Sequence, residues 1–197
     1  MLIKEGLEYH PHALNGELIT KITKKLNIIF KAAPLFQPTM PKTGNKFSVK
    51  MTNCGKYGWV SDKKGYRYQE THPITNKNWP PIPEELLNIW QKYTKLTINP
   101  DCCLINLYDE NAKMGLHQDN DEENFSYPVL SISIGADAIF KIGGLKRNDK
   151  SSSIKLRNGD ILIMKEESRL IYHGISKIYP NEKFKERINL TFRKVTS

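Results

Sequence analysis

Apolar positions along the chain follow two different periods. Over residues 17–32, Leu18, Ile19, Ile22, Leu26, Ile29 and Phe30 recur three and four apart with Lys21, Lys24 and Lys25 between them, the stripe of an amphipathic helix. A Pro-, Gly- and Lys-rich passage from Pro34 to Lys46 breaks the pattern. Residues 47–68 then read as short strands and turns dense in aromatics: Tyr57, Trp59, Tyr66 and Tyr68. Pro80, Pro81 and Pro83 punctuate the approach to a second helix whose stripe is Leu86, Leu87, Trp90 and Tyr93. Pro83 suits its first position, Glu84 and Glu85 suit its positive end, and Pro100 closes the segment. From Cys102 the period becomes two. Residues 102–108, 129–134, 138–142, 154–156, 161–164, 169–172 and 187–193 are predicted strands, with turn signals such as Gly143-Gly144 and Asn158-Gly159-Asp160 between them. Short strands without intervening helices predict an antiparallel sandwich or jelly roll. The expected organisation is α+β: helices and a hairpin over 1–100, packed on a β-rich body over 101–197, the two forming one domain.

A chain of 197 residues with 39% hydrophobic and 26% charged positions has the composition of a globular protein able to bury a core. No run approaches the roughly 20 apolar residues of a bilayer span. The opening Met1-Leu2-Ile3-Lys4-Glu5-Gly6 lacks the features of a signal peptide. No membrane partner is expected, and the expected location is the cytoplasm. Cys54, Cys102 and Cys103 make neither a disulfide framework nor a structural zinc set and are expected to be reduced, buried thiols. The net charge of +9 admits a polyanionic partner, although a lysine-rich solvated surface gives the same balance.

Candidate chemistry lies in Leu116-His117-Gln118-Asp119. On a strand, His117 and Asp119 share a face. With His173 at the end of the predicted strand 169–172, they form a 2-His-1-carboxylate set, which holds Fe(II) and leaves positions open for a co-substrate and O₂. Taken singly, each is an ordinary histidine or loop carboxylate, and ligand type alone leaves a catalytic zinc open. The strand Arg187-Ile188-Asn189-Leu190-Thr191-Phe192-Arg193 alternates strictly, placing Arg187, Asn189, Thr191 and Arg193 on one face. Such a face is either the solvated side of an edge strand or a cavity wall. Two guanidinium forks flanked by amide and hydroxyl donors suit a small dicarboxylate, to which Asn106 and Tyr108 can add hydrogen bonds.

Asn106-Leu107-Tyr108, His117-Gln118-Asp119, Gly143-Gly144-Leu145-Lys146-Arg147, Arg169-Leu170-Ile171-Tyr172-His173 and Arg187 to Arg193 together resemble the AlkB family of Fe(II)- and 2-oxoglutarate-dependent nucleic-acid dealkylases. Met51-Thr52-Asn53-Cys54-Gly55, Gly58-Trp59 and Gly65-Tyr66-Arg67-Tyr68 extend the likeness, so that it covers about 51–193. The resemblance implies a double-stranded β-helix (jelly roll) with N-terminal helices and a β-hairpin nucleotide-recognition lid. It implies His117, Asp119 and His173 as iron ligands, with Asn106, Leu107, Tyr108, Arg187, Asn189, Thr191 and Arg193 holding 2-oxoglutarate. Within that set Arg193 lies at the oxo-acid end and Arg187 at the distal carboxylate. Trp59 is implied to stack on a flipped damaged base opposite His117. Tyr66, Arg67 and Tyr68 belong to the lid, and Asp121 and Arg147 lie near the base. One departure is Asn111, where the family usually has glycine; Asn tolerates left-handed backbone, so a small geometric change is expected.

The implied reaction is direct-reversal repair of DNA: oxidative demethylation of 1-methyladenine and 3-methylcytosine, releasing succinate, CO₂ and aldehyde. The implied protein is a monomer that prefers single-stranded DNA, with duplex DNA or RNA as further partners. Stacking aromatics interleaved with Lys56, Lys63, Lys64 and Arg67 suit such a partner. Competing readings are an RNA or tRNA dealkylase, a small-molecule or protein oxygenase, and a non-enzymatic cupin-like module. The aromatic lid argues against the second of these and the arginine strand against the third.

Overall fold

In the computed structural model, which describes residues 2–196, the described residues form thirteen strands and two α-helices. Strands β1 (Leu2–Lys4) and β2 (Leu7–His10) precede helix α1 (Gly16–Ala32). Next come β3 (Lys50–Gly55), the pair β4 (Gly58–Asp62) and β5 (Gly65–Gln69), and helix α2 (Glu84–Thr94). The remainder is β6 (Cys102–Tyr108), β7 (Met114–His117), β8 (Val129–Gly135), β9 (Asp137–Ile142), β10 (Ser152–Leu156), β11 (Ile161–Met164), β12 (His173–Tyr179) and β13 (Arg187–Arg193). A seven-stranded sheet runs β1-β2-β11-β8-β13-β6-β3, a four-stranded sheet runs β10-β9-β12-β7, and β4–β5 is a separate hairpin. Every strand pair is antiparallel.

Three layers follow from strand alternation. On β6 and β11, Cys103, Ile105, Ile161 and Ile163 turn toward Ile22, Leu26 and Ile29 of α1 and Leu86, Ile89 and Trp90 of α2. Leu104, Leu162 and Met164 turn the other way, into a core shared with Phe140, Ile142 and Ile175 of the four-stranded sheet. The large sheet is thus covered on both faces, which explains why β8, β11 and β13 read as nearly continuous buried runs. The helices start where their caps dictate. Asn15 accepts a bond from the Leu18 N–H at 2.9 Å, while Pro83 sits just outside the first turn of α2 and Lys95 ends it in left-handed conformation at φ 62°.

Three expectations need correction. The chain does not open with helices: β1 and β2 come first and extend the large sheet, β2 pairing with β11 and β1 with β2, and β3 forms its other edge. Asp119 does not share a strand with His117, because β7 ends at His117. Residues 169–172 are not a strand. A 3₁₀ turn over Glu166–Ser168 leads into them, the Gln118 amide donates to the Leu170 carbonyl at 2.6 Å, and the Arg169 side chain runs inward. His173 therefore opens β12 rather than ending a strand, and it lies directly across from His117 in the β12–β7 ladder.

That ladder tolerates no side chain at Gly174, where a Cβ would lie 2.5 Å from the Met114 carbonyl oxygen and 2.9 Å from that of Gly115. Gly174→Ala is expected to lower stability by about 1–3 kcal/mol, the usual cost of overpacking. It should also spread His173 from His117. Thermal unfolding and Mn(II) titration check both effects; an unchanged melting temperature with unchanged metal affinity would show that the ladder is not the constraint.

Candidate active site

The β12–β7 pairing brings two imidazoles together, with ring centroids of His117 and His173 4.5 Å apart. Each ring is oriented the same way. Nδ1 donates to the carbonyl two residues earlier, Gly115 for His117 at 2.9 Å and Ile171 for His173 at 3.0 Å. A carbonyl can only accept, so the proton sits on Nδ1 and each Nε2 is left as a lone-pair donor. Both Nε2 atoms lie 3.8 Å from a carboxylate oxygen of Asp119. One ligand atom from each of the three residues falls within 4.8 Å of the other two. Burial, reinforced by the neighbouring His117, pushes His173 down to about 4, so its ring is neutral and ready to ligate at neutral pH. Burial alone would raise Asp119, but Arg193 and the two imidazoles hold its carboxyl well below the usual range.

A cavity of about 340 Å³ opens from this cluster between the two sheets. β13 is the central strand of its wall, flanked by β6 and β8, rather than an edge strand. Arg187, Asn189, Thr191 and Arg193 line the cavity together with Asn106 and Tyr108 of β6. Leu107 does not line it, because strand alternation turns its side chain to the opposite face. The two arginines differ. Arg193 donates from Nη2 to Asp119 Oδ1 at 2.8 Å and from Nε to Asp119 Oδ2 at 3.2 Å. Arg187 is 1% exposed, and its partners are the Ser133 hydroxyl, at 3.0 Å, and the Tyr108 ring beneath it. No carboxylate pairs with it among the described residues, and burial pulls its pKa below the ordinary guanidinium value. Arg187 Nε and Nη1, Arg193 Nη1 and Asn106 Oδ1 are buried without hydrogen-bond partners.

At the cavity mouth stands the β4–β5 hairpin. Trp59 lies opposite Tyr68 in its register, stacks on Tyr66 at 5.6 Å and 18°, and donates its indole N–H to Asp121 at 2.8 Å. Trp59, Tyr66, Tyr68, Asp121 and Arg147 all line the cavity, Arg147 lying over the Tyr172 ring. Arg67 does not. It is folded back onto Asp62 in a bidentate pair, 2.9 Å for each bond, which also holds the Asp62 carboxyl down at about 2.

The profile described as "2OG-Fe(II) oxygenase superfamily" matches residues 6–193. The chain belongs to that superfamily. Within it the relatives are AlkB proteins. The chain is 40% identical over 180 residues to the alpha-ketoglutarate-dependent dioxygenase AlkB of Escherichia coli, covering 88% of this chain and 83% of that one. It is 44% identical over 155 residues to the Caulobacter vibrioides AlkB homolog, covering 77% and 70%. The solved structure of OsALKBH1 superposes with a TM-score of 0.85 at 28% identity, over 98% of this chain and 99% of that one. The chain is thus an Fe(II)- and 2-oxoglutarate-dependent dioxygenase of the AlkB family. Its donor set fits those groups. A dianionic co-substrate would satisfy the orphaned guanidinium hydrogens of Arg187 and Arg193, and two imidazoles with one carboxylate suit Fe(II).

Sequence reasoning missed two charged residues of this dioxygenase. Glu122 and Arg169 are buried and paired at 3.0 Å, and Arg169 also donates to the carbonyls of Asp119 at 2.7 Å and Tyr127 at 2.9 Å. Nothing local marks Glu122, one of four acids in the polar run 119–124, as buried. An arginine inside an apolar stretch, as at 169–172, was the available signal.

Asp119→Ala is expected to weaken metal binding by more than the ~10–100-fold that loss of a ligand's outer hydrogen-bond partner costs. Calorimetric titration with Mn(II) measures this, and wild-type affinity would exclude Asp119 as a ligand. Arg187→Lys keeps the charge but loses the fork. With charge-assisted bonds worth about 1.5–3 kcal/mol, 2-oxoglutarate affinity should fall roughly 10- to 150-fold.

Proposed function

We propose that this dioxygenase removes alkyl groups from ring nitrogens of nucleobases, with 1-methyladenine and 3-methylcytosine in DNA as its substrates. The observation that carries this reading is continuity. One cavity runs from the His117-Asp119-His173 cluster, past the arginine strand, to a mouth framed by stacked aromatics. A small-molecule oxygenase needs no such mouth, whereas an enzyme acting on an extruded base must replace the stacking that base has lost. The AlkB names of the relatives support the same chemistry. We also read the two sheets as the halves of a double-stranded β-helix, and β4–β5 as its nucleotide-recognition lid. Strands from both sides of residue 100 complete one sheet, so we read the chain as a single domain.

On this reading His117, Asp119 and His173 hold the iron. Arg187 takes the distal carboxylate of 2-oxoglutarate, with Asn106 and Tyr108 beside it, and Arg193 guides the oxo-acid end. Bound there, Fe(II) supplies O₂ activation, with 2-oxoglutarate oxidised to succinate and CO₂ as one oxygen atom enters the N-alkyl carbon. The protein's part is placement. Trp59 offers a flat face whose tilt is fixed by the bond to Asp121. The Asp121 carboxylate favours bases that carry positive charge, as N1-methylated adenine and N3-methylated cytosine do. The hydroxylated alkyl group then leaves the ring nitrogen as an aldehyde, restoring the base.

Incubation with Fe(II), ascorbate and 2-oxoglutarate should restore both lesions in a single-stranded oligonucleotide, read by mass spectrometry beside duplex DNA and RNA of the same sequence. Trp59→Ala should raise KM for the oligonucleotide more than it lowers kcat, since base–aromatic stacking is worth about 1–3 kcal/mol. Persistence of both lesions in all three polymers while succinate still forms would point to another substrate; faster turnover on RNA would move the assignment to RNA.

A further inference from the structure

The cavity wall contains a buried carboxylate, Glu122, that the reaction outlined above does not use. The Glu122 carboxylate is 1% exposed, accepts two hydrogen bonds and makes one further ion-pair contact. Oε2 accepts from Arg169 Nη2 at 3.0 Å and Oε1 from the Tyr68 hydroxyl at 2.5 Å, while Arg193 Nε lies 3.3 Å from Oε1 as an ion-pair contact. Tyr68 belongs to the hairpin and Arg193 to β13, an interior strand of the large sheet. Glu122 thus joins the element that frames the cavity mouth to the arginine at its metal end. We propose that Glu122 is a positioning residue that couples the β4–β5 hairpin to the co-substrate arginine, so that 2-oxoglutarate binding and hairpin order are set together. This inference rests on the reading of the cavity as the 2-oxoglutarate site and of the hairpin as its lid.

Three features of the geometry support the coupling. First, Arg193 Nε donates to Asp119 at 3.2 Å and at the same time lies in ion-pair contact with Glu122 at 3.3 Å. A metal ion drawing on the Asp119 oxygens weakens that bond, and Glu122 is the other carboxylate in contact to keep the guanidinium at the strand end. Second, the Arg169 side chain grips the Asp119 carbonyl and pairs with Glu122, so the backbone of the His-x-Asp loop and the Glu122 carboxylate move as one unit. Third, Tyr68 faces Trp59 across the hairpin, so anchoring the Tyr68 hydroxyl fixes the ladder position that carries the stacking face. The hydroxyl of Tyr68 therefore serves the interior of the protein rather than a substrate. A purely structural Glu122, there to neutralise Arg169, would leave the hairpin indifferent to 2-oxoglutarate. A coupling residue would not, and the coupling must be reciprocal.

The test uses the full chain loaded with Zn(II), so that no turnover occurs. Hydrogen exchange over residues 58–69 is followed with and without 2-oxoglutarate, and 2-oxoglutarate affinity is measured by calorimetry. In the wild type, 2-oxoglutarate should slow exchange in the hairpin. Glu122→Gln should weaken 2-oxoglutarate binding by at least about fivefold, the lower end of usual coupling strengths, and abolish that protection. Tyr68→Phe, which keeps the ring and the ion cluster, should abolish the protection too, and it decides the matter where Glu122→Gln fails to fold. Wild-type protein that binds 2-oxoglutarate without protecting its hairpin overturns the coupling alone, as does full protection in Tyr68→Phe or wild-type affinity in Glu122→Gln. Wild-type protein that does not bind 2-oxoglutarate overturns the reading of the site itself.

Discussion

Two arginines and two carboxylates, Arg193 with Asp119 and Arg169 with Glu122, are buried side by side beneath the cavity, and the geometry of the site hangs on their mutual neutralisation. None of the four could be buried alone, because an unpaired charge in a low-dielectric interior costs several kcal/mol. Together they compensate one another, and Asp119 stays ionised. That matters because β7 has ended before Asp119 is reached, so no ladder bond fixes this residue. Its side chain is aimed by Arg193 and its carbonyl by Arg169, while the two histidines are aimed by strand pairing and by their own backbone carbonyls. The three members of the cluster are therefore positioned by two independent devices, a β ladder and a salt-bridge network, that meet at one point.

Arg187 is the counter-example that gives this arrangement its direction. It is as deeply buried as the other arginines but faces a hydroxyl and an aromatic ring instead of a carboxylate. Such a charge is tolerated only because β13 is an interior strand of the sheet, hydrogen-bonded on both sides along its length and packed on the helices through Leu190 and Phe192. The sheet forces the guanidinium into the cavity, and the missing counter-charge makes that end of the cavity select for an anion. One end of the cavity is neutral and rigid, the other cationic and unsatisfied. A dicarboxylate with a chelating end is the kind of molecule that matches both.

The parts of this design that were legible in the sequence are those fixed by local period. The alternation in 187–193 gave both the bounds of β13 and the composition of its cavity face, and 102–108 and 161–164 gave β6 and β11 residue for residue. Misreadings came where a distant partner decided. Residues 169–172 carry the apolar and aromatic spacing of a strand, yet Arg169 and the Leu170 carbonyl are captured by Glu122 and Gln118, about fifty positions away. Strands β1 and β2 are three and four residues long around Gly6, and β11, the partner that ties β2 into the sheet, lies near the other end of the chain. Arg67 read as a free cation because its spacing from Asp62 means nothing until the hairpin turn folds one onto the other.

The hairpin shows how the same side chains can be satisfied before and after a substrate arrives. Without a base, Trp59 is not left as an exposed apolar face; it is covered by Tyr66 and pinned by Asp121. Aromatic pairs of this kind are worth about 0.5–1.5 kcal/mol, whereas stacking a nucleobase on an aromatic side chain is worth about 1–3 kcal/mol. A base that displaces or extends the Trp59–Tyr66 stack therefore gains more than the protein loses. For an unmodified base in duplex DNA that gain must also cover the few kcal/mol of unstacking and unpairing, whereas a base whose pairing edge carries an alkyl group has less pairing left to lose. On the proposed reading, selection for damage begins at the stack, before any atom reaches the metal cluster, and the modest strength of the Trp59–Tyr66 contact is what allows it.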